Sequence, residues 1–269
     1  MRESACLFGP QHELSGIVTE PATASRDATC ILVSAGLMPK FGPYRIYADL
    51  ARRLAGDGFR TLRFDLGGIG DSQQTNAGLP LRERTALEIR AAVEHVTATY
   101  GSNRVILGGL CSGAEDSFRY AENDPRVAGV VLIDPFSYRT ASWKWRHFVY
   151  RAARRTMRAL RVYEPIAARS VVSPVVTSDK PLVKYKYMAH AESSRILKAL
   201  IARGTRVHFV YTGGMRESFN HEHQLREMFE PIDFAGRVTL DHFPEVDHTQ
   251  VLEEDRRRLV SAIRRRVAG

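Results

Sequence analysis

Short apolar runs alternate with longer amphipathic stretches along most of the chain. Cys30-Ile31-Leu32-Val33, Val105-Ile106-Leu107, Val130-Val131-Leu132 and Val207-His208-Phe209-Val210-Tyr211 are too short for core helices and rich in β-branched residues. They read as strands buried on both faces, and Thr61-Leu62-Arg63-Phe64 joins them. Between them the period is helical: from Gly42-Pro43 to about Leu54, from Leu81 to Tyr100, from Ser112 to about Glu122, and through Leu197 to Ala202. Gly56-Asp57-Gly58, Gly101, Asp124-Pro125 and Gly204 stop these helices. Such alternation predicts an α/β protein with a mostly parallel central sheet and helices on both faces. Ala5–Phe8 and Leu14–Val18, around Gly9-Pro10-Gln11-His12, add a hairpin at one edge. A helix over roughly His221–Phe229, a strand over Val238–Phe243 and an arginine-rich helix over Gln250–Val267 close the chain.

One segment breaks the alternation. Residues 136–191 follow the sixth strand and are too long for a connecting loop, so they should form a helical cap inserted into a core made of 1–135 and 192–269. From Pro135 to Tyr163 there is no acidic residue, and seven Lys or Arg residues fall between Lys144 and Arg161. Trp145, Val149, Ala152, Met157 and Leu160 fall near one helical face, and Arg151, Arg154, Arg155, Arg158 and Arg161 near the other. A basic cap should favour an anionic substrate, an acidic carrier or an anionic membrane surface.

Composition narrows the class further. The chain has 269 residues, a formal charge of +9 and three cysteines, Cys6, Cys30 and Cys111. An odd, sparse set of cysteines suggests reduced thiols. No apolar run is long enough to span a bilayer, and the first residues lack the apolar centre of a signal peptide, so a cytoplasmic protein is expected. The basic stretch carries no recognisable reading motif, and no nucleic-acid partner is expected.

The candidate chemistry starts at Gly109-Leu110-Cys111-Ser112-Gly113, which follows a buried strand and opens a helix. Small residues on both sides of a central nucleophile match a sharp strand-to-helix turn that exposes the nucleophile. The central residue is Cys111, and Ser112 comes one position too late. A triad needs a histidine that handles the proton and a carboxylate that orients it. His248, on the loop after the last strand, is the expected base. Glu217, after the Val207–Tyr211 strand, is the expected acid, with Asp134 at the end of the preceding strand as the alternative. The N–H groups of Leu37 and Ser112 are the expected oxyanion donors. The glycines of Leu66-Gly67-Gly68-Ile69-Gly70 lack a dinucleotide fingerprint, and Asp65 and Asp71 should instead hold backbone N–H groups there. His221-Glu222-His223 is too weak a pattern for a metal, and neither metal nor cofactor is expected.

The chain resembles the α/β-hydrolase superfamily over nearly its whole length. The resemblance rests on Ser34-Ala35-Gly36, Arg63-Phe64-Asp65 through Gly70-Asp71-Ser72, the Gly-Leu-Cys-Ser-Gly turn and Asp247-His248-Thr249. Gly42-Pro43-x-Arg45-x-Tyr47, Leu132-Ile133-Asp134-Pro135 and Tyr138-Arg139-Thr140 are similar to hydrolases found beside exosortase and natural-product assembly genes. The resemblance implies a hydrolase or acyltransferase, with cysteine where the superfamily usually has serine. A cysteine nucleophile forms a thioester, so acyl exchange with a coenzyme A or carrier-protein thioester is nearly isoenergetic. The expected activity is that of a thioesterase or acyltransferase working through an acyl-cysteine, and carboxylic-ester hydrolysis is the alternative. A non-catalytic protein that binds a membrane surface or a partner on the same frame is the alternative of another class.

Overall fold

In the computed structural model, which describes residues 1–23, 25–159 and 188–269, β1 (Arg2–Phe8) and β2 (Leu14–Glu20) form the expected antiparallel hairpin. The remaining strands are β3 (Ala28–Val33), β4 (Arg60–Phe64), β5 (Arg104–Leu110), β6 (Val127–Ile133), β7 (Arg206–Thr212) and β8 (Val238–Phe243). They build one eight-stranded sheet in the order β1-β2-β4-β3-β5-β6-β7-β8. β2 joins β4 antiparallel, and every later pairing is parallel.

Helices cover both faces, as the alternation requires. They are α1 (Ile46–Gly56), α2 (Leu81–Tyr100), α3 (Ser112–Ala121), α4 (Ala141–Ala159), α5 (His190–Ala202), α6 (Gln224–Met228) and α7 (Glu253–Ala268). Strand side chains divide between the two layers with period two. Ile31 and Val33 of β3 join the core that holds Ile89 and Val93 of α2, Phe118 of α3 and Leu197 of α5. Cys30 and Leu32 point the other way, to Leu50 and Leu54 of α1 and Leu259 and Ile263 of α7.

Three expected helices differ in extent. The segment from Gly42 opens as a 3₁₀ turn over Pro43–Arg45, with Tyr44 and Arg45 left-handed at φ 45° and 65°, and α1 begins only at Ile46. The helix expected over His221–Phe229 shrinks to α6 because Gln224 ties the preceding residues into a loop. Its amide donates to the Ser218 and Tyr138 carbonyls and accepts the Asn220 N–H. The last helix starts at Glu253 because the Asp247 carboxylate captures the Thr249 and Val251 N–H groups in a tight turn.

The expected cap falls only partly on described residues. Within it α4 packs Trp143 inward, its indole N–H donating to the Arg216 carbonyl at 3.3 Å. Trp145 and Val149, of the apolar stripe, are exposed. Leu160, Arg161 and the chain to residue 187 lie outside the described residues.

Candidate active site

Cys111 stands at the end of β5 and immediately before α3, with φ 53° and ψ −117°. This left-handed conformation is costly for a residue with a Cβ, so the surroundings must enforce it. Close packing does so on both sides of the turn. A Cβ on Gly109 would lie 2.4 Å from the Gly113 carbonyl carbon, and one on Gly113 would lie 2.5 Å from the Val33 oxygen. The Cys111 N–H donates to the Ile133 carbonyl at 2.8 Å, which keeps the turn in register with β6. Tyr47 of α1 adds a buried brace: its hydroxyl donates to the Val33 carbonyl and accepts the Leu110 N–H at 2.7 Å.

His248 lies on the loop after β8, and its Nδ1–H donates to Asp134 Oδ2 at 2.8 Å. Asp134 caps β6 with φ 46° and is buried. Its two oxygens also accept the Thr212 N–H at 2.7 Å and the Thr212 hydroxyl at 2.6 Å. Three donors to one buried carboxylate fix its orientation. Glycines let the neighbouring turn approach: a Cβ on Gly214 would sit 2.5 Å from the His248 Cβ. The His248 pKa is pushed up to about 10, first by the hydrogen bond to Asp134 and next by one to Cys111, against the opposing effect of burial.

Asp134 therefore replaces Glu217 as the carboxylate on His248. The physical reason is the path of the chain after β7. Gly213 is pinned to the Val246 carbonyl at 2.7 Å, and the following 3₁₀ turn carries residue 217 toward α4. The Glu217 side chain is 78% exposed and its carboxylate is 4.0 Å from His147 Nε2.

The loop after β3 holds Leu37, one of the two expected oxyanion donors. The Met38 N–H donates to the Ala35 carbonyl at 2.9 Å, and the Gly36 N–H to the Ser112 hydroxyl at 2.8 Å. Between these two engaged amides, the Leu37 N–H makes no hydrogen bond among the described residues. The Ser112 side chain has a structural role that the sequence alone did not reveal. Its hydroxyl latches the loop to the start of α3. The next residues are fixed by buried Lys40, whose ammonium bridges Asp65 and Asp71 at 2.6 Å each. Asp65 also accepts the Asp71 N–H at 3.1 Å, as expected, while the Asp71 carboxylate serves Lys40 instead of a backbone amide. Elsewhere, His221 Nε2 is spent on the Ser142 hydroxyl at 2.7 Å.

A nucleophile elbow at β5, a histidine after β8 and a carboxylate on β6, set on this sheet, define an α/β hydrolase. Residues 30–212 match the family described as serine aminopeptidase, S33, and the chain belongs to that family. Solved structures of the same fold include an α/β serine hydrolase without lid from Xanthomonas campestris, with 15% identity, 99% of this chain and 94% of that one covered, and a TM-score of 0.60. The esterase domain of a Rhodothermus marinus protein is similar at 14% identity, with 99% and 98% covered and a TM-score of 0.60. An esterase from Pyrococcus furiosus gives 13% identity, 98% and 89% covered and a TM-score of 0.61. No curated protein matches the chain by sequence. Against a family named for serine enzymes, cysteine at position 111 is the departure.

Proposed function

We propose that the protein is an acyl-processing enzyme that forms a covalent acyl-Cys111 intermediate from an acyl thioester. The observation that carries this reading is Cys111 at the elbow beside a histidine that Asp134 holds in its cationic form. Hydrogen bonds to Asp134 and Cys111 raise the His248 pKa, and a cationic imidazole is the natural partner of a sulfur nucleophile.

In the first half-reaction the Cys111 sulfur attacks the thioester carbonyl and the oxygen takes up the negative charge. The Leu37 and Ser112 N–H groups receive that oxyanion. The carbonyl re-forms, the substrate carbon–sulfur bond breaks, and imidazolium His248 gives its proton to the departing thiolate. Acylation removes the Cys111 side chain as a hydrogen-bond partner of His248, which was one cause of the raised His248 pKa. The now neutral imidazole takes a proton from the acceptor (water, an alcohol or an amine) as that acceptor attacks the acyl group. Collapse expels Cys111 as thiolate beside a protonated His248, and the cycle closes. Leu37, Ser112, Cys111, His248 and Asp134 thus have distinct roles, and Glu217 has none.

Coenzyme A or a phosphopantetheine-bearing carrier protein is the proposed thiol portion of the substrate. The acid-free run from Pro135 to Tyr163 supports this reading, because both carriers are anionic. The same run leaves room for weak contact with an anionic membrane surface. Carboxylic-ester hydrolysis is the second reading, favoured by the esterase relatives. Steady-state rates with matched acyl thioesters and aryl esters separate the two. The proposal expects kcat/KM to favour thioesters and Cys111→Ala to abolish turnover of both substrates. Turnover retained by Cys111→Ala would refute it.

A further inference from the structure

A cavity of about 1030 Å³ opens at the N-terminal ends of the parallel strands, the opposite edge of the sheet from Cys111. Seven arginines line it, against the Asp27 carboxylate and the Gly269 end of the chain. Three of the seven are engaged nearby. Arg26 donates to the Asp57 carbonyl, Arg203 to the Glu122 carbonyl, and Arg266 pairs with Asp241 at 3.2 Å. Arg104, Arg206, Arg237 and Arg265 make no side-chain hydrogen bond or ion pair among the described residues.

These four come from separate elements: the first residue of β5, the first residue of β7, the turn before β8 and the last turn of α7. A solvated helix face accounts for arginines that run along one helix. It does not account for arginines that line one concavity from four separate elements. Arg265 gains from the carbonyl end of α7, but Arg104, Arg206 and Arg237 have no such compensation. All four are exposed, so their charge is open to an anion that enters the cavity. Guanidinium forks match phosphate oxygens in pairs, which ammonium groups do not.

We infer that this cavity is a binding site for a small ligand bearing a chain of phosphate groups, of nucleotide size. The volume is at the upper end of ordinary ligand sites. β5 spans Arg104 to Leu110, so the site and the nucleophile lie about 20 Å apart at roughly 3.3 Å per residue. The ligand therefore does not touch the acyl chemistry, and this inference stands or falls independently of the proposed activity.

Calorimetric titration of the full chain with sodium tripolyphosphate tests it, with ATP and sulfate as parallel arms. Saturable one-site binding is expected at low salt, weakening steeply as salt rises. The Arg206→Gln/Arg237→Gln variant should lose at least tenfold in affinity, while Arg53→Gln/Lys198→Gln, exposed and outside the cavity, should lose little. Equal affinity for ATP and tripolyphosphate would assign recognition to the phosphate chain, and tighter ATP binding would assign it to a nucleotide; both support the site. Should the double variant fail to fold, phenylglyoxal modification of the native chain gives the answer, since tripolyphosphate should protect Arg104, Arg206 and Arg237. No saturable binding, equal competition by sulfate, or loss of binding in the Arg53→Gln/Lys198→Gln variant alone would overturn the inference.

Discussion

Asp134 spends one oxygen on Thr212 and shares the other between Thr212 and His248, so its charge is directed at the imidazole by a rigid, buried frame. Asp134→Asn keeps the size and removes that charge. The account expects it to lower kcat by about 100-fold or more, and to bring the imidazole pKa down from about 10, visible in the proton NMR titration of His248. Glu217→Gln, 4.0 Å from His147 and remote from His248, should leave both unchanged. Ser112 gives a different signature because it acts through the loop it latches. Ser112→Ala deletes the acceptor of the Gly36 N–H and frees the Leu37 amide to wander. A fall of roughly 10-fold in kcat is expected, less than the 100-fold typical of a lost oxyanion donor. KM should stay near its original value, and Ser112→Thr should restore part of the rate. A parallel fall in thermal stability with no kinetic change would reduce Ser112 to a structural residue.

At the scale of elements, the turn between β5 and α3 works because α3 lies almost against the end of β3. Gly113→Ala places a methyl 2.5 Å from the Val33 carbonyl oxygen and 2.7 Å from that of Ser34, with backbone on every side. Such overpacking costs about 1–3 kcal/mol, and here it also tilts the helix start that carries Ser112. Urea unfolding should show the loss, with activity falling further than stability alone explains. Tyr47→Phe should cost about 1–3 kcal/mol by leaving the Leu110 N–H unsatisfied in the core. Most of these elements were legible in the sequence, because the inner strands β3, β5, β6 and β7 carry apolar runs. Tyr47 as a brace was not legible, since a tyrosine on an amphipathic helix has the same pattern as any core residue. Nor was the length of α6, which the Gln224 side chain settles by bonds across long separations.

Across the whole molecule, the order nucleophile, carboxylate, histidine was readable because each group follows a strand in the parallel part of the sheet. The choice of carboxylate was not readable. Asp134 and Glu217 both follow strands, and only the pinning of Gly213 to Val246 carries Glu217 away from His248. The constrained backbone of Asp134, with φ 46°, is visible only in the structure. The site also leaves a mark on global stability. The folded pKa of His248, about 10, stands above its ordinary 6.5, so its contribution is complete below pH 6.5 and is lost as pH rises through about 10. Stability measured by denaturant should decline over that window in the native protein and decline less in Asp134→Asn. The acylation rate should hold to about pH 9 and fall near pH 10, as His248 loses the proton it must donate.

The most direct test of acyl transfer through Cys111 is intact-mass and peptide-level mass spectrometry after brief incubation with a panel of acyl thioesters. The account predicts a single added acyl group, carried on Cys111 and released by nucleophilic acceptors, and no adduct on Cys111→Ala. An adduct that persists in Cys111→Ala, or one that maps to Ser112, would contradict it.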